Sequence, residues 1–164
     1  MRPWRLGVVC TGNICRSPMS EVVYRDLVAR DEVLRGRIEV TSAGTARWHV
    51  GAAMDPRARK ALERVGLSDP GTPGAYADRH YLSTLDLAIV MTHEHRGDLR
   101  QRIGEGLDIV LVRELLEPSE PLDLADPYYG DDADFDQCLA TIRSSGPRLT
   151  RELRRRLGAS SREA

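Results

Sequence analysis

The sequence predicts a single α/β domain in which a parallel sheet is covered by helices on both faces. Apolar runs of strand length alternate with segments of helical periodicity, an order typical of parallel sheets. The chain has 164 residues, of which 41% are hydrophobic and 30% charged, a composition that favours one folded core over disorder. Because no linker-like stretch divides it, we expect one domain over residues 1–158 and a flexible tail over residues 159–164.

Short apolar runs bounded by turn residues mark the expected strands. The first run is followed by Thr11-Gly12-Asn13 and the second by the segment from Ser42 to Thr45. The four predicted strands are residues 5–9, 37–41, 85–91 and 107–112.

Apolar residues at helical spacing predict the helices, and capping residues indicate where each begins. Ser17 is the expected N-cap of the first helix, with Pro18 in its first turn, and Asp55-Pro56 opens the second in the same way. The last helix is expected to break near Gly146-Pro147. The predicted helices are residues 17–34, 55–65, 94–102 and 134–157, with loops at 69–76 and 117–132.

Charge and cysteine content limit the function classes. The formal net charge of −1 argues against a nucleic-acid partner. The basic run at residues 148–156 is interpreted as a solvated helix face, because leucines recur along it at core spacing. Three cysteines are a poor disulfide framework, and no signal peptide or membrane-length apolar run is visible. We therefore expect a cytoplasmic protein with no membrane partner.

The segment from Cys10 to Ser17 is the most informative part of the chain. It leaves a predicted strand and enters a predicted helix, which is the setting of a phosphate-binding loop. Gly12 and Asn13 permit a tight turn, and Arg16 can grip two oxygens of a phosphoryl group. Cys10 would lie at the bottom of this cradle as a thiolate placed for in-line attack on phosphorus. A Walker-type loop is excluded because no Gly-Lys-[Ser/Thr] is present, and the cysteine spacing does not suit zinc.

A second segment supplies a candidate acid. Asp126-Pro127-Tyr128-Tyr129-Gly130 lies in the acidic loop that precedes the last helix. Cleavage of a phosphate ester needs a proton donor for the leaving oxygen, and the carboxyl of Asp126 is suited to that task and later to activating water. The two tyrosines could wall a slot for an aromatic substrate.

With these motifs the chain resembles the low-molecular-weight protein-tyrosine phosphatase family. The matching segments are residues 9–19, 41–45 and 126–130, in the family's order and at its approximate spacing, and the resemblance covers nearly the whole chain. Trp48-His49 makes it similar to actinobacterial members in particular. The resemblance implies a four-stranded parallel sheet and a phosphotyrosine substrate. It also implies no metal or organic cofactor. We further expect inorganic phosphate as product and a monomer or weakly associating chain.

The resemblance also assigns roles to individual residues. It implies Cys10 as nucleophile, Arg16 as phosphate clamp and Asp126 as general acid and then base. Ser17 would stabilise the thiolate, and Asn13, bonded to Ser42, would hold the loop. The implied substrate-binding residues are Thr11, Gly12, Asn13, Ile14, Cys15, Ser17, Trp48, Tyr128 and Tyr129. Two departures are present: Met91-Thr92 stands where the family usually has an acid, and residues 76–79 only approximate its His-x-Ala-Arg pattern.

Three other functions compete with this interpretation. Phosphoarginine phosphatases of the same fold carry Thr where this chain has Ile14 and lack the paired tyrosines. A thiol-dependent arsenate reductase would need additional relay cysteines, and only Cys138 lies outside the loop. A silent phosphate-binding module would need neither the nucleophile nor the acid. His93 and His95 flank Glu94 and are interpreted as surface residues rather than as metal ligands.

Overall fold

The sheet forms from four parallel strands, as predicted. The computed structural model describes residues 2–116 and 122–163. Its strands are β1 (Trp4–Cys10), β2 (Ile38–Gly44), β3 (Leu87–Val90) and β4 (Ile109–Leu111), in the order β2-β1-β3-β4. Each adjacent pair is parallel. The chain thus places β2 on one side of β1 and β3 on the other.

In the described part of the chain, six helices surround the sheet. They are α1 (Arg16–Arg30), α2 (Pro56–Arg64), α3 (Arg79–Ser83), α4 (His93–Ile103), α5 (Asp132–Ser144) and α6 (Gly146–Glu163), with short 3-10 turns at Gly104–Gly106, Val112–Leu115 and Pro127–Tyr129. The five-residue helix α3 was not predicted. It is capped by Asp78, whose side chain accepts from the Tyr81 amide, a signal too short to separate from an ordinary turn.

The N-cap of α1 differs from the prediction, whereas that of α2 agrees with it. Helix α1 begins at Arg16 after Cys15, and Ser17 is not its N-cap. The Ser17 hydroxyl is instead buried 3.0 Å from the sulfur of Cys10, so it is not available to cap the helix. Asp55 caps α2 as expected, accepting from the Arg57 amide. Helix α1 also ends at Arg30, four residues before the predicted end.

The predicted last helix is two helices, which meet at Ser145. The buried Ser145 hydroxyl lies 2.7 Å from the hydroxyl of Tyr24 on α1, which ties the junction to the core. Gly146 packs so closely on α1 that an added Cβ would lie 2.9 Å from a methyl of Leu27. The break near Gly146-Pro147 is therefore confirmed. Helix α6 continues past Leu157 to Glu163, while the flexibility of residues 159–164 stays a prediction.

The two faces of the sheet carry separate cores. Alternate residues of β1 point to opposite sides, so Leu6 and Val8 join one apolar cluster and Val9 joins the other. Helices α1, α2, α5 and α6 contribute to the first cluster and α3 and α4 to the second. The segment between β1 and α1 lies where the chain's connections diverge to the two sides of β1. This is the edge at which parallel sheets bind ligands.

Candidate active site

The loop that follows β1, from Cys10 to Ser17, directs three of its carbonyl groups outward, and we call it the phosphate loop. These carbonyls accept hydrogen bonds from backbone amides of surrounding segments. The pairs are Thr45 N to Cys10 O (2.8 Å), Ala46 N to Thr11 O (3.0 Å) and Asp55 N to Ile14 O (2.9 Å). In a trans peptide the N–H points opposite to the C=O. The amides of Thr11, Gly12 and Cys15 consequently face the inside of the loop, where they form an anion-binding concavity.

Asn13 holds the tightest turn of the loop. It has a φ of 57°, a left-handed conformation that Asn tolerates better than most residues. Its side-chain amide donates to the hydroxyls of Ser17 (2.7 Å) and Ser42 (3.0 Å), and its oxygen accepts from the Ala75 amide (2.9 Å). The predicted contact between Asn13 and Ser42 is present. Asn13 and Ser17 thus lie behind the loop, where they support it.

Gly44 allows β2 to approach this loop. A Cβ at Gly44 would lie 2.5 Å from the Thr11 carbonyl oxygen, too close for any side chain. Gly44 is the register partner of Cys10. The end of β2 therefore forms a wall directly against the first residues of the loop, which explains a glycine in the 41–45 motif.

The three cysteine thiols are buried and free, and two of them are unsuited to act as nucleophiles. Burial raises the pKa of Cys15 far above its ordinary range, and the neighbouring carboxylates of Asp55 and Asp126 add to the effect. Burial also raises the pKa of Cys138 to about 12. Cys10 differs because the Ser17 hydroxyl, 3.0 Å from its sulfur, can donate to a thiolate.

Arg16 projects its guanidinium to the same site from the first turn of α1. The side chain is 5% exposed, and one of its nitrogens donates to the Leu124 carbonyl at 2.9 Å. The other lies 3.2 Å from a carboxylate oxygen of Asp126, whose side chain is 42% exposed. The structure therefore brings together the predicted clamp and the predicted acid, which are 110 positions apart in sequence.

The acid sits at the start of a short 3-10 turn. Asp126 is its N-cap and accepts from the Tyr128 amide at 3.1 Å, with Pro127 in the first position. The rings of Tyr128 and Tyr129 meet edge to face at a centroid distance of 5.0 Å, and Tyr129 is 92% exposed. We call the segment Asp126–Gly130 the acid turn.

Arg57 links the acid turn to the phosphate loop, a role that the sequence did not reveal. Its guanidinium pairs with Asp55, whose backbone amide bonds to the loop at Ile14. One guanidinium nitrogen also donates to the Gly130 carbonyl at 3.1 Å, and the group stacks 4.5 Å from the ring centroid of Phe135 on α5. No sequence motif indicates this contact, because Arg57 and Gly130 are 73 residues apart.

Most of the predicted catalytic and substrate-binding residues line one cavity of about 180 Å³. Trp48, 77% exposed, stands at its rim with His49 and the two tyrosines. Of the predicted substrate-binding residues, Asn13 and Ser17 lie behind the wall. The lining residues are Cys10, Thr11, Gly12, Ile14, Cys15, Arg16, Trp48, His49, Asp126, Tyr128 and Tyr129.

His95 is buried beside the phosphate loop, contrary to the interpretation of both neighbouring histidines as surface residues. Its Nε2 lies 2.8 Å from the Thr11 hydroxyl. His93, by contrast, is exposed and pairs with Asp123. The signal that could have found His95 is its position just after β3, because the carboxyl ends of adjacent parallel strands meet at one edge.

The two departures from the family pattern each have a local structural role. Thr92 caps α4, its hydroxyl accepting from the His95 amide at 3.2 Å. The segment before α3 pairs with the end of β2, the Gly44 amide bonding to the Ala75 carbonyl and the Ala77 amide to the Gly44 carbonyl. Through the Ala75 amide, this segment also supports Asn13.

A thiol at the base of an anion cradle, with a guanidinium and a carboxyl at its mouth, is suited to transferring a phosphoryl group to sulfur. Within residues 2–116 and 122–163, no group of three metal-ligating side chains is found, and no helix is long and apolar enough to cross a membrane. The fold and the site together define a cysteine-dependent phosphatase.

The chain belongs to the low molecular weight phosphotyrosine protein phosphatase family, whose model matches residues 5–159. It is 37% identical over 149 residues to the low molecular weight protein-tyrosine phosphatase A of Mycobacterium tuberculosis, covering 90% of each chain. It is also 37% identical to a Streptomyces coelicolor relative over 161 residues, covering 92% of this chain and 94% of the relative. The crystal structure of YfkJ from Bacillus subtilis superposes with a TM-score of 0.85 at 31% identity, over 95% of this chain and 98% of that one. The predicted family, fold and enzyme class are confirmed.

Proposed function

We propose that this phosphatase hydrolyses phosphotyrosine in protein substrates through a phosphocysteine on Cys10. One observation carries the proposal: a single cavity has the Cys10 thiol and Arg16 in its wall and three aromatic side chains at its mouth. When the phosphate group of an aryl phosphate binds at the bottom of that cavity, its aromatic ring should lie near Trp48 and Tyr128. The flat apolar surfaces of these side chains favour an aromatic ring.

Binding begins with an exchange of partners at Arg16. The Arg16 guanidinium is paired with the carboxylate of Asp126. A phosphoryl dianion that enters the loop competes for this guanidinium, since two charge-assisted bonds to phosphate are stronger than one contact at 3.2 Å. Asp126 is thereby released from the guanidinium, takes up a proton from solvent, and can act as the acid at the leaving oxygen.

In the first chemical step the Cys10 thiolate attacks phosphorus in line with the phenolic oxygen. The S–P bond forms as the P–O bond breaks, and the departing oxygen takes its proton from the Asp126 carboxyl. The inward-facing amides and Arg16 stabilise the charge on the three equatorial oxygens. The products are tyrosine and a phosphocysteine.

In the second step Asp126, now a carboxylate, removes a proton from water. That water attacks phosphorus, the S–P bond breaks, and the electron pair returns to sulfur as a thiolate. Inorganic phosphate leaves, and the Ser17 hydroxyl stabilises the sulfur as it did before. Proton and charge are both restored, so the cycle needs no cofactor.

The substrate class is tested by comparing phosphotyrosyl, phosphoseryl and phosphoarginyl peptides of matched sequence, in the presence of EDTA. Ile14 lines the cavity and Tyr128 and Tyr129 stand at its mouth, an apolar arrangement that suits an aryl ester. We expect phosphotyrosine to be turned over fastest, with all turnover lost in Cys10→Ser. A dominant rate on phosphoarginine would overturn the substrate assignment, and a fully active Cys10→Ser variant would overturn the covalent mechanism.

We make three further proposals, on the partners, the location and the oligomeric state of the enzyme. Its partners are a phosphotyrosine protein as substrate and inorganic phosphate as product. We infer a cytoplasmic location, supported by three cysteines that are all unpaired. We also infer a monomer or weakly associating chain, to be checked by sedimentation of the purified protein.

A further inference from the structure

His95 contacts the phosphate loop from the face of the sheet opposite to α1. The side chain belongs to α4, is 3% exposed, and places its Nε2 2.8 Å from the Thr11 hydroxyl. Thr11 directly follows the nucleophile and lines the cavity. This contact therefore joins the second helical layer to the residue next to Cys10.

The hydrogen-bonding pattern indicates which nitrogen of His95 carries the proton. The other ring nitrogen, Nδ1, is buried and has no hydrogen-bond partner within the part of the chain that the structure describes. A buried N–H without an acceptor is rarer than a lone pair without a donor. The proton consequently lies on Nε2, which donates to the oxygen of Thr11.

Burial is the main reason that the His95 ring is neutral. Burial lowers the pKa of His95 to about 4, and Arg16 on α1 contributes in the same direction. The carboxylates of Asp126 in the acid turn and Asp123 before it oppose the effect, but they do not reverse it. Near pH 7 the imidazole thus holds Thr11 without adding a charge to the site.

Thr11 is anchored at three points. Its own carbonyl accepts from the Ala46 amide and the preceding carbonyl of Cys10 from the Thr45 amide, and both bonds come from the segment after β2. The bond from His95 is the third anchor and comes from α4. Without it, the two peptides that flank Thr11 are fixed from one direction only.

We propose that His95 is a positioning residue of the phosphatase reaction, which holds the Thr11 hydroxyl so that the amides of Thr11 and Gly12 stay directed at the phosphoryl group. The proposal rests on the proposed function for its effect on turnover. Its effect on the binding of inorganic phosphate is separate, because binding requires only the loop.

The test is a double-mutant cycle on the bond between the two side chains. Thr11→Val removes the hydroxyl at nearly constant shape, and His95→Leu removes the imidazole without leaving a buried polar atom. His95→Gln keeps a terminal amide that can reach the hydroxyl. His93→Gln is the matched control, since His93 is exposed on the same helix and does not line the cavity.

The readouts are the Kd for inorganic phosphate, kcat and KM on p-nitrophenyl phosphate, and thermal stability. We expect Thr11→Val and His95→Leu each to weaken phosphate binding and raise KM about fivefold to tenfold. The Kd and KM of the double variant should be no higher than those of the more impaired single variant, because both substitutions remove the same contact. His95→Gln should lie within about threefold of wild type, as expected if a hydrogen bond is what matters. His93→Gln should match wild type.

Two results would overturn the proposal. One is a wild-type Kd for phosphate in His95→Leu. The other is multiplication of the two single effects in the double variant. A purely structural role would lower the melting temperature and the active fraction while leaving Kd and KM unchanged, which also contradicts the proposal.

A spectroscopic measurement on the wild-type protein covers the case in which His95→Leu does not fold. Nitrogen NMR of the imidazole, assigned by comparison with His95→Gln, should show a neutral ring protonated on Nε2 from pH 6 to 8. A ring protonated on Nδ1 would overturn the proposal. Absence of phosphotyrosine turnover would instead refute the proposed function and leave the phosphate-binding cycle to be judged by itself.

Discussion

The phosphate loop and the acid turn carry the two halves of the chemistry, and they are built in opposite ways. The loop is buried, its carbonyls are bonded outward, and Asn13 alone makes three side-chain hydrogen bonds. The acid turn is largely exposed and is held by Arg57, by its own cap and by one contact with Arg16. The anion site is therefore preformed by hydrogen bonds within the fold, whereas the carboxyl that donates the proton has one exchangeable partner, Arg16.

The largest effect is expected from removing the nucleophile while keeping the rest of the phosphate loop. Cys10→Ser should abolish turnover, because a serine hydroxyl is a weak nucleophile and Asp126 acts as an acid, not as a base, in the first step. Its Kd for inorganic phosphate should stay within about threefold of wild type, since the amides and Arg16 remain. Calorimetry with phosphate checks the second statement, and loss of binding together with turnover would show that the cradle depends on the sulfur.

The next largest effect is expected from disabling the acid turn. Asp126→Asn keeps the shape of the side chain but cannot donate or accept the proton, which should cost about 10²-fold to 10⁴-fold in kcat on phenyl phosphate. On p-nitrophenyl phosphate the loss in the first step should be much smaller, because that leaving group needs little protonation. Burst kinetics on both esters measures the difference. An equal loss on both would show that Asp126 does not protonate the leaving group.

A smaller effect should follow from loosening the acid turn without touching the acid. Arg57→Met removes the bond to the Gly130 carbonyl and the pairing with Asp55. We expect kcat on poor leaving groups to fall about tenfold, equivalent to about 1.4 kcal/mol, with phosphate affinity nearly unchanged.

The matched control for Arg57 is Arg64→Met. Arg64 also lies on α2 and forms an exposed pair with Asp136, outside the cavity. It should leave both kcat and phosphate affinity at the wild-type values. If the two arginine variants behave alike, the link between the acid turn and the loop has no catalytic role.

The last prediction concerns the pH dependence of folding stability at His95, with no change expected in the catalytic rate. Folding lowers the pKa of His95 to about 4, against an ordinary value of about 6.5. The unfolded chain therefore binds a proton first as the pH falls from 6.5 to 4, and the folded state loses about 3 kcal/mol of stability over that window, with no contribution above it. Urea unfolding of wild type and His95→Gln should diverge in this range. Parallel pH profiles would contradict a neutral buried imidazole.

Most of the elements, and most of the residues that line the cavity, could be predicted from the sequence because their signals are local. Strand length, the Asp55-Pro56 cap and the cysteine loop each depend on residues that are neighbours in the chain. Even Asn13, which needs a left-handed turn, is indicated by its own type next to Gly12.

The remaining features depend on contacts between distant segments. Ser17 has the residue type of a cap, but its hydroxyl is used at the Cys10 sulfur. His95 and Arg57 bond to partners that are 84 and 73 residues away. The position of His95 just after β3 is a weak indication of its contact, and nothing in the neighbouring sequence indicates the contact of Arg57. Helix α3 was missed because its signal is a single capping aspartate.

The pairing of Arg16 with residues near the other end of the chain has a consequence for protein synthesis. Both groups that neutralise or solvate its buried guanidinium, the Leu124 carbonyl and the Asp126 carboxylate, leave the ribosome more than a hundred residues after it. A nascent chain that stops earlier would bury this charge without a partner, at a cost of several kcal/mol. The nucleophile and its clamp are thus completed only when the acid turn has been made. Truncated or partly translated chains should therefore have no phosphatase activity.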